Sequence, residues 1–312
     1  MAKRVEEITL GVDVCKDKLD VHVWETGEAC QVVNSRREIK DFLRGLHGAL
    51  RLAVEATSNY HMELVEVALK LGHTVYLVNA RQLSHYREAV NVRNKSDALD
   101  AWLLARYLAH EADSLRPLQL RDARAQQLWT LLKRRAVAVE IRKQLEQSFR
   151  EIRLSTKAVF SQIARLLARI DERLRGLLRS LGWWADYRRC QSIPGIGPLN
   201  AIALTAAYHR GAFAGSDAFV SFIGFDVRMR ESGKYKGLRK LTKRGEAEIR
   251  RLLYCAAQPA RAYYLFDRYY RRQLEKGMSK IAAKVALARK LARIAFALLT
   301  NQQSFKKQEL AA

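Results

Sequence analysis

The chain has 312 residues, with 56 Lys and Arg against 32 Asp and Glu, so its formal net charge at pH 7 is +24. The length allows two or three compact domains, and 49% hydrophobic residues exclude a disordered basic tail. So large a positive charge favours nucleic acid as a partner, and the four cysteines form no C-x-x-C pair that would indicate zinc. With no apolar signal region and no membrane-length segment, we expect a cytoplasmic protein.

The first 115 residues alternate between strand and helix patterns. Short runs of apolar and β-branched residues predict strands at 8–14, 19–24, 50–56 and 74–78. Helical spacing occurs at 35–47 and 60–71, and another helix is predicted to begin after Asn94 or Ser96, with acidic residues in its first turn. We therefore predict an α/β domain over residues 1–115.

The middle of the chain is rich in leucine and arginine and has no proline between residues 118 and 193. Its apolar residues follow the 3-4-3-4 spacing of a coiled coil or a long helical hairpin at Leu167, Ile170, Leu174, Leu177 and Leu181. We predict a helical arm over residues 116–190, which either contacts a second protomer or packs within its own chain. Residues 191–312 are predicted to form a mainly helical domain, ending in a frayed polar tail from 302.

Four carboxylates are candidates for catalysis. Asp13 and Glu55 end two predicted strands, where α/β sheets usually build their sites. Asp97 and Asp100 are three residues apart and project from one face of the predicted helix. Clustered carboxylates repel one another unless cations neutralise them, so this set suggests a one- or two-metal site for phosphoryl transfer, with Mg²⁺ as the ion. Taken singly, a carboxylate in such a place is more often a turn or cap residue, and it is the order of the four that favours the metal site.

The segment 192–198 resembles the hairpin of a helix-hairpin-helix motif. Gly195 and Gly197 would let backbone N–H groups approach a phosphate at the start of the next helix. It is not a dinucleotide fingerprint, because Asn200 occupies the third glycine position, and no Walker A pattern occurs. A plain turn between helices is the alternative.

The densest cationic stretch runs from residue 228 to 245 and contains Ser232. We interpret it as a loop that grips phosphates through Arg228, Arg230, Lys234, Lys236, Arg239, Lys240, Lys243 and Arg244. Composition alone favours Ser232 as a turn residue beside a solvated run of charge. Further on, tyrosines and arginines alternate over 261–272, a pattern that suits either stacking on unpaired bases or a helix with a buried stripe.

Five motifs in this order resemble the DEDD transposases of bacterial insertion sequences, the family that includes the pilin-gene-inverting recombinase and the bridge-RNA-guided recombinases. They are Gly11-Val-Asp13, Val54-Glu55-Ala-Thr, Asn94-Lys-Ser-Asp97-Ala-Leu-Asp100, Pro194-Gly-Ile-Gly, and Glu231-Ser232-Gly followed by Lys243-Arg-Gly. The resemblance implies an N-terminal RNase H-like domain of the Holliday-junction-resolvase type, a coiled-coil arm, and a C-terminal transposase domain. It also implies that Asp13, Glu55, Asp97 and Asp100 form the acidic tetrad and that Ser232 is the nucleophile.

For the reaction, the resemblance implies recombination of donor and target DNA through a covalent phosphoserine, with Mg²⁺ on the tetrad. It further implies dimers that pair into tetramers and a structured non-coding bridge RNA that selects both DNA partners. A metal-dependent junction resolvase or nuclease that hydrolyses DNA with water is the alternative enzyme. A protein that packages nucleic acid without cutting it is the non-enzymatic alternative.

Overall fold

The computed structural model describes residues 7–56, 59–94, 96–118, 122–152, 154–228, 231–232, 235–236 and 240–306, with the backbone alone for 231, 232, 235, 236 and 240. The chain forms two compact units, residues 1–121 and 122–312. The sequence prediction had three parts, but the helices of the predicted arm lie in the second unit, because their inner ends contribute to its core.

The first unit is a five-stranded sheet covered by helices. Its elements are β1 (Glu7–Val14), β2 (Lys18–Val23), β3 (Ala29–Val33), α1 (Arg36–Gly45), β4 (Ala49–Glu55), α2 (Met62–Lys70), β5 (Thr74–Val78), α3 (Ala80–Ala89) and α4 (Asp97–Glu111), followed by a 3₁₀ turn at Ala112–Ser114. The predicted strands and helices of this unit are confirmed to within a few residues, while β3 and α3 were not predicted.

The strand order is β3-β2-β1-β4-β5. Strand β2 is antiparallel to both of its neighbours, whereas β1, β4 and β5 are parallel. The parallel strands are buried on both faces, as in the successive residues Leu52, Ala53 and Val54 of β4, because helices cover the sheet on each side.

The second unit is mainly helical. Its elements are α5 (Ala123–Ser148), α6 (Lys157–Ser180), α7 (Trp184–Gln191), α8 (Pro198–Tyr208), α9 (Ser216–Phe222), β6 (Val227–Arg228), β7 (Glu231–Ser232), β8 (Tyr235–Lys236), β9 (Lys240–Leu241), α10 (Ala247–Ala260), α11 (Tyr264–Glu275) and α12 (Lys280–Thr300). The alanine-rich face of α12 lies at its centre, where Ala288, Ala292 and Ala295 are fully buried. No helix in the described part of the chain is long and apolar enough to span a membrane.

Helices α5 and α6 form an antiparallel hairpin. Leu128 and Trp129 of α5 share one core with Leu174, Leu177 and Leu178 of α6, and the Arg135 Nε donates to Asp171 Oδ1 at 2.5 Å. The leucine seam predicted from the sequence therefore packs inside its own chain. Among the described residues from 133 to 166, none is buried.

The predicted tail is partly ordered. Phe305 packs on the rings of Tyr263 and Phe266, and its backbone N–H donates to the Ser192 hydroxyl at 2.8 Å. The expectation of a frayed tail from 302 is therefore wrong as far as residue 306, since a single aromatic anchor and one hydrogen bond hold the segment on the unit.

Helix α4 packs on β1 at Gly11 with no space for a side chain. A Cβ atom at Gly11 would lie 2.0 Å from the carbonyl oxygen of Ala101 and 2.2 Å from the backbone nitrogen of Ala105. Such a contact cannot be relieved by a rotamer change, because both atoms belong to a helix backbone.

We expect Gly11→Ala to lower the free energy of unfolding by about 3 kcal/mol or more, because the helix must move away from the strand. Gly45→Ala is the matched control, since a Cβ there meets nothing within 4 Å. Urea unfolding of both variants tests this. Equal stability of Gly11→Ala and wild type would contradict the contact.

Candidate active site

The parallel pairing of β1 and β4 brings Asp13 and Glu55 to the same edge of the sheet. Val12 is in register with Val54, so the next residue on each strand is the carboxylate. Both side chains therefore leave the sheet at its carboxyl edge, where open α/β sheets place their ligands.

The first turn of α4 supplies the other two carboxylates. Ser96 caps the helix by accepting a hydrogen bond from the Leu99 N–H at 3.3 Å, as the sequence predicted. Asp97 is exposed, whereas Asp100 is buried and forms an ion pair with Arg87 of α3. The close packing at Gly11 holds this first turn beside the end of β1.

The four carboxylates influence one another electrically. The pKa of Asp13 is raised to about 6, first by burial and then by the negative charges of Asp100, Asp97 and Glu55. Ligand atoms of Asp13, Asp97 and Cys15 all lie within 4.8 Å of one another. Glu55 and Asp100 are outside that group, although their negative charges contribute to the raised pKa of Asp13.

This donor set fits a divalent cation. Carboxylate oxygens are the ligands of hard divalent ions, and a cation would relieve the repulsion that raises the pKa of Asp13. In the structure, part of that role belongs to Lys18, whose ammonium lies 3.4 Å from Asp97 and 3.0 Å from Asp20.

Sequence reasoning missed four residues of this site: Cys15, Lys18, Asp20 and Arg87. Asp20 lies directly opposite Asp13 across the β1–β2 ladder, is buried, and accepts a hydrogen bond from Gln31 Nε2 at 2.6 Å. In the sequence, the available signal for Asp20 was a carboxylate inside the strand predicted at 19–24. Arg87 lies on α3, which the sequence did not predict.

The helix-hairpin-helix segment forms the connection between α7 and α8. Gly195 has φ +85°, and a Cβ there would lie 2.5 Å from the backbone of Ala260. Gly197 is the N-cap residue and Pro198 the first residue of α8. The fold thus requires glycine at position 195, because a side chain there would clash with Ala260. The N–H groups at the start of α8 come a few residues later in the chain.

Ser232 lies in a β-hairpin rather than in the loop predicted from the sequence. Val227 and Arg228 pair with Leu241 and Lys240, and Glu231 and Ser232 pair with Lys236 and Tyr235. The run of glycines and cations suggested a loop because each strand has only two residues, too few to give a period. We call the segment 227–241 the serine hairpin.

The predicted cationic residues are spread over this hairpin and the turn after it. Arg228, Lys243 and Arg244 are exposed. The structure gives Lys236 and Lys240 by their backbone alone, and Arg230, Lys234 and Arg239 lie outside the described residues.

The tyrosine and arginine stretch belongs to the core. Phe266 and Tyr270 of α11 are buried, and Arg261 lies over the Tyr270 ring at 4.0 Å. Lys290 covers Tyr269 in the same way, at 4.3 Å. The helix therefore has a buried aromatic stripe, which was the structural alternative to base stacking.

Comparison with known proteins identifies the family. A transposase family model of the DEDD and IS110 type matches residues 10–156, and a model described as transposase IS116/IS110/IS902 family matches residues 187–271. The chain belongs to the IS110 family of transposases. It is therefore a DNA transposase or recombinase, an enzyme that cleaves and rejoins DNA strands.

Full-length relatives support this assignment. The pilin gene-inverting protein of Moraxella bovis is 25% identical over 96% of this chain and 98% of its own length. A probable family 20 transposase of Pseudomonas aeruginosa is 25% identical over 95% and 98%. The IS1111A transposase of Coxiella burnetii is 34% identical over 39% of this chain and 35% of its own. Among solved structures, Thermus thermophilus RuvC with a Holliday junction substrate matches 36% of this chain and all of its own, with 14% identity and a TM-score of 0.29.

The raised pKa of Asp13 predicts how stability depends on pH without metal. The folded state binds a proton at Asp13 more tightly than the unfolded state, so this residue destabilises the fold as pH rises from about 4 to about 6, and the penalty is complete above that range. We expect Asp13→Asn to raise the free energy of unfolding near neutral pH by about 1–2 kcal/mol, a value reduced for solvent screening.

Denaturant unfolding in EDTA at about pH 4 and about pH 7.5 measures this effect. The gain should vanish at the lower pH, and Asp17→Asn, on an exposed residue of the β1–β2 turn, should show no gain at either. Greater stability of the wild type at neutral pH would contradict the mutual repulsion.

Proposed function

We propose that this transposase cuts DNA with Ser232 as the nucleophile that attacks the scissile phosphate, and with Mg²⁺ held by Asp13, Glu55, Asp97 and Asp100. The observation that carries the proposal is the convergence of these acidic groups at the end of β1, with the pKa of Asp13 raised to about 6. The net charge of +24 suits a nucleic-acid substrate, and a cluster of carboxylates in such a protein can hold the cation that chemistry on a phosphate needs.

The carboxylates have distinct positions in this proposal. Carboxylate oxygens of Asp13 and Asp97 lie within 4.8 Å of each other, so these two residues would form the centre of the cation site. Glu55 follows in register on β4, and Asp100 is oriented by Arg87. When bound, Mg²⁺ would stabilise negative charge on the phosphate and lower the pKa of the attacking hydroxyl.

Ser232 would supply the nucleophile. Its Oγ bonds to phosphorus, the bond between phosphorus and one deoxyribose oxygen breaks, and the serine proton is released as that oxygen takes up a proton. The phosphodiester bond energy is kept in the phosphoserine, so a second DNA hydroxyl can reverse the step and rejoin strands without ATP. A hydrolytic nuclease would need the tetrad but not this serine.

Positive groups on the second unit would bind the DNA backbone. Exposed Arg228 lies in the serine hairpin, and exposed Lys243 and Arg244 follow it. The N–H groups at the start of α8, after Gly195 and Gly197, would suit a phosphate. Phosphate contacts position DNA without reading its sequence. A structured bridge RNA that pairs with donor and target DNA would supply that specificity, and the charge of +24 accommodates both nucleic acids.

Assembly into dimers that pair into tetramers would involve the outer half of the α5–α6 hairpin. The residues of this segment with large exposed apolar side chains are Val137, Ile141, Ile152, Leu154, Val159 and Leu166, each at least 47% exposed. Exposed apolar side chains grouped on one element favour a protein contact. Leu174, Leu177 and Leu178 of α6 cannot form this contact between protomers, because they are buried within the unit.

We expect Ser232→Ala to abolish the covalent protein–DNA adduct while DNA binding changes less than twofold, since the substitution removes one hydroxyl and no charge. The protein is expressed with the DNA that flanks its gene, so that any RNA encoded there is present, and is incubated with a labelled plasmid carrying the same DNA and Mg²⁺. Denaturing gels and peptide mapping locate the adduct. Normal cleavage by Ser232→Ala without an adduct would favour the hydrolytic nuclease.

We expect the double variant Val137→Glu/Ile141→Glu to shift the protein from dimer to monomer at micromolar concentration, because two unpaired charges would be buried at the contact. Light scattering measures the mass. Lys143→Glu on the same helix is the control for a change of charge. An unchanged mass in the double variant would exclude this surface as the contact.

A further inference from the structure

The root of the serine hairpin is fixed by two hydrogen bonds between the same pair of residues. The backbone N–H of Thr242 donates to the carbonyl oxygen of Asp226 at 3.0 Å. The Thr242 hydroxyl also donates to the Asp226 carboxylate. Asp226 immediately precedes β6 and Thr242 immediately follows β9, so this pair closes the hairpin where it leaves the helical core. We call it the root pair.

The turn after the root pair is anchored on the helices. The Thr242 hydroxyl accepts a hydrogen bond from the Arg244 N–H at 3.3 Å, and Lys243 adopts φ +55°, an unfavourable value for a residue with a side chain. Arg250 of α10 donates to the carbonyl oxygen of Gly245 at 2.7 Å. A strained residue persists only where its surroundings determine the backbone, so this turn is held firmly.

Two glycines let the turn contact the end of α9. A Cβ at Gly245 would lie 2.5 Å from the carbonyl oxygen of Phe222 and 2.6 Å from the backbone nitrogen of Gly224. Gly224 itself has φ +76°, and its neighbours Ile223 and Phe225 are buried. The root of the hairpin is therefore joined to the core on both of its strands.

Beyond the root, the described residues of the hairpin are joined by two short ladders. Its two ladders have two residue pairs each, and the registers of the two ladders differ by one residue. The six residue-to-residue steps from Asp226 to Ser232 span at most about 20 Å at ~3.3 Å per step. Over that length, a rotation of about 3° at the root displaces the serine by about 1 Å, an error that can cost about 10²-fold in rate.

We propose that Asp226 and Thr242 are positioning residues, which set the direction of the serine hairpin and thereby the place of the Ser232 hydroxyl. This inference rests on the proposed function of Ser232 as the nucleophile. The root pair acts through the hairpin and makes no contact with substrate in this proposal, so its loss lowers the rate of adduct formation and leaves DNA affinity unchanged.

Thr242 allows a sharp test, because its hydroxyl is both donor and acceptor at the root. Thr242→Val keeps the shape of the side chain and the backbone bond to Asp226 but removes both hydrogen bonds of the hydroxyl, to Asp226 and from Arg244. Thr242→Ser keeps the hydroxyl and both of its bonds. We expect Thr242→Val to form the adduct 10- to 100-fold more slowly, in proportion to about 1 Å of displacement, with DNA affinity within twofold of wild type. Thr242→Ser should stay within twofold in both. Thr300→Val is the matched control, since the Thr300 hydroxyl contacts Tyr208 on another part of the unit.

Hydrogen exchange gives a readout that does not depend on the reaction. In Thr242→Val, the amides of Thr242 and of the hairpin should exchange faster, while those of α10 and α12 keep their protection. Asp226→Ala should have the same effects, and it serves if Thr242→Val does not fold. A normal adduct rate in either variant with faster exchange, or an equal loss in Thr242→Ser, would overturn the positioning role. An adduct that persists in Ser232→Ala would instead overturn the proposed nucleophile, and with it the reason for the root pair.

Discussion

The candidate site depends on the contact between α4 and β1 at Gly11. Asp97 lies more than 80 residues from Asp13 in the chain, and no pairing of strands brings them together. The helix reaches the sheet because Gly11 leaves room for the backbone of Ala101 and Ala105. The same contact places the first turn of α4, with its cap at Ser96, beside the end of β1. A glycine without any chemical function thus determines where two carboxylates lie.

Bringing these carboxylates together has an electrostatic cost, which the surrounding side chains partly offset. Burial and three neighbouring charges raise the pKa of Asp13, while Arg87 pairs with Asp100 and Lys18 pairs with Asp97. Arg87 is largely buried and holds one fixed carboxylate. Lys18 is more exposed and bridges two. The cluster is therefore only partly neutralised and the pKa of Asp13 stays raised, so a cation beside Asp13 would relieve the remaining repulsion.

Much of this arrangement could be predicted from the sequence, but for different reasons at different residues. Strand periodicity and the cap at Ser96 are local, so they placed Asp13, Glu55 and Asp97 on their elements. Asp20, Lys18 and Arg87 depend on which strands pair and on α3, and a short chain segment contains no information about its partner. Spacing found the leucines of α6, yet the same spacing serves a partner helix in the same chain or in another. Two-residue strands have no period at all, so the serine hairpin was read as a loop.

The backbone that carries the carboxylates and the backbone that carries Ser232 differ in how firmly they are packed. Asp13 and Glu55 lie on two central, buried strands, and Asp97 and Asp100 lie on a helix that packs directly on that sheet, so close packing fixes the backbone that carries the four carboxylates. In the described residues, the serine hairpin has two ladders of two residue pairs each, and a narrow ribbon would suit the proposed nucleophile, which would remain attached to a DNA strand while that strand changes partners. A ribbon of this kind can be placed accurately only from its base. Close backbone contacts at Gly224 and Gly245 and the hydrogen bonds of Thr242 and Arg250 supply that base, so in this proposal the accuracy of the chemistry at Ser232 is set by residues other than the reacting groups.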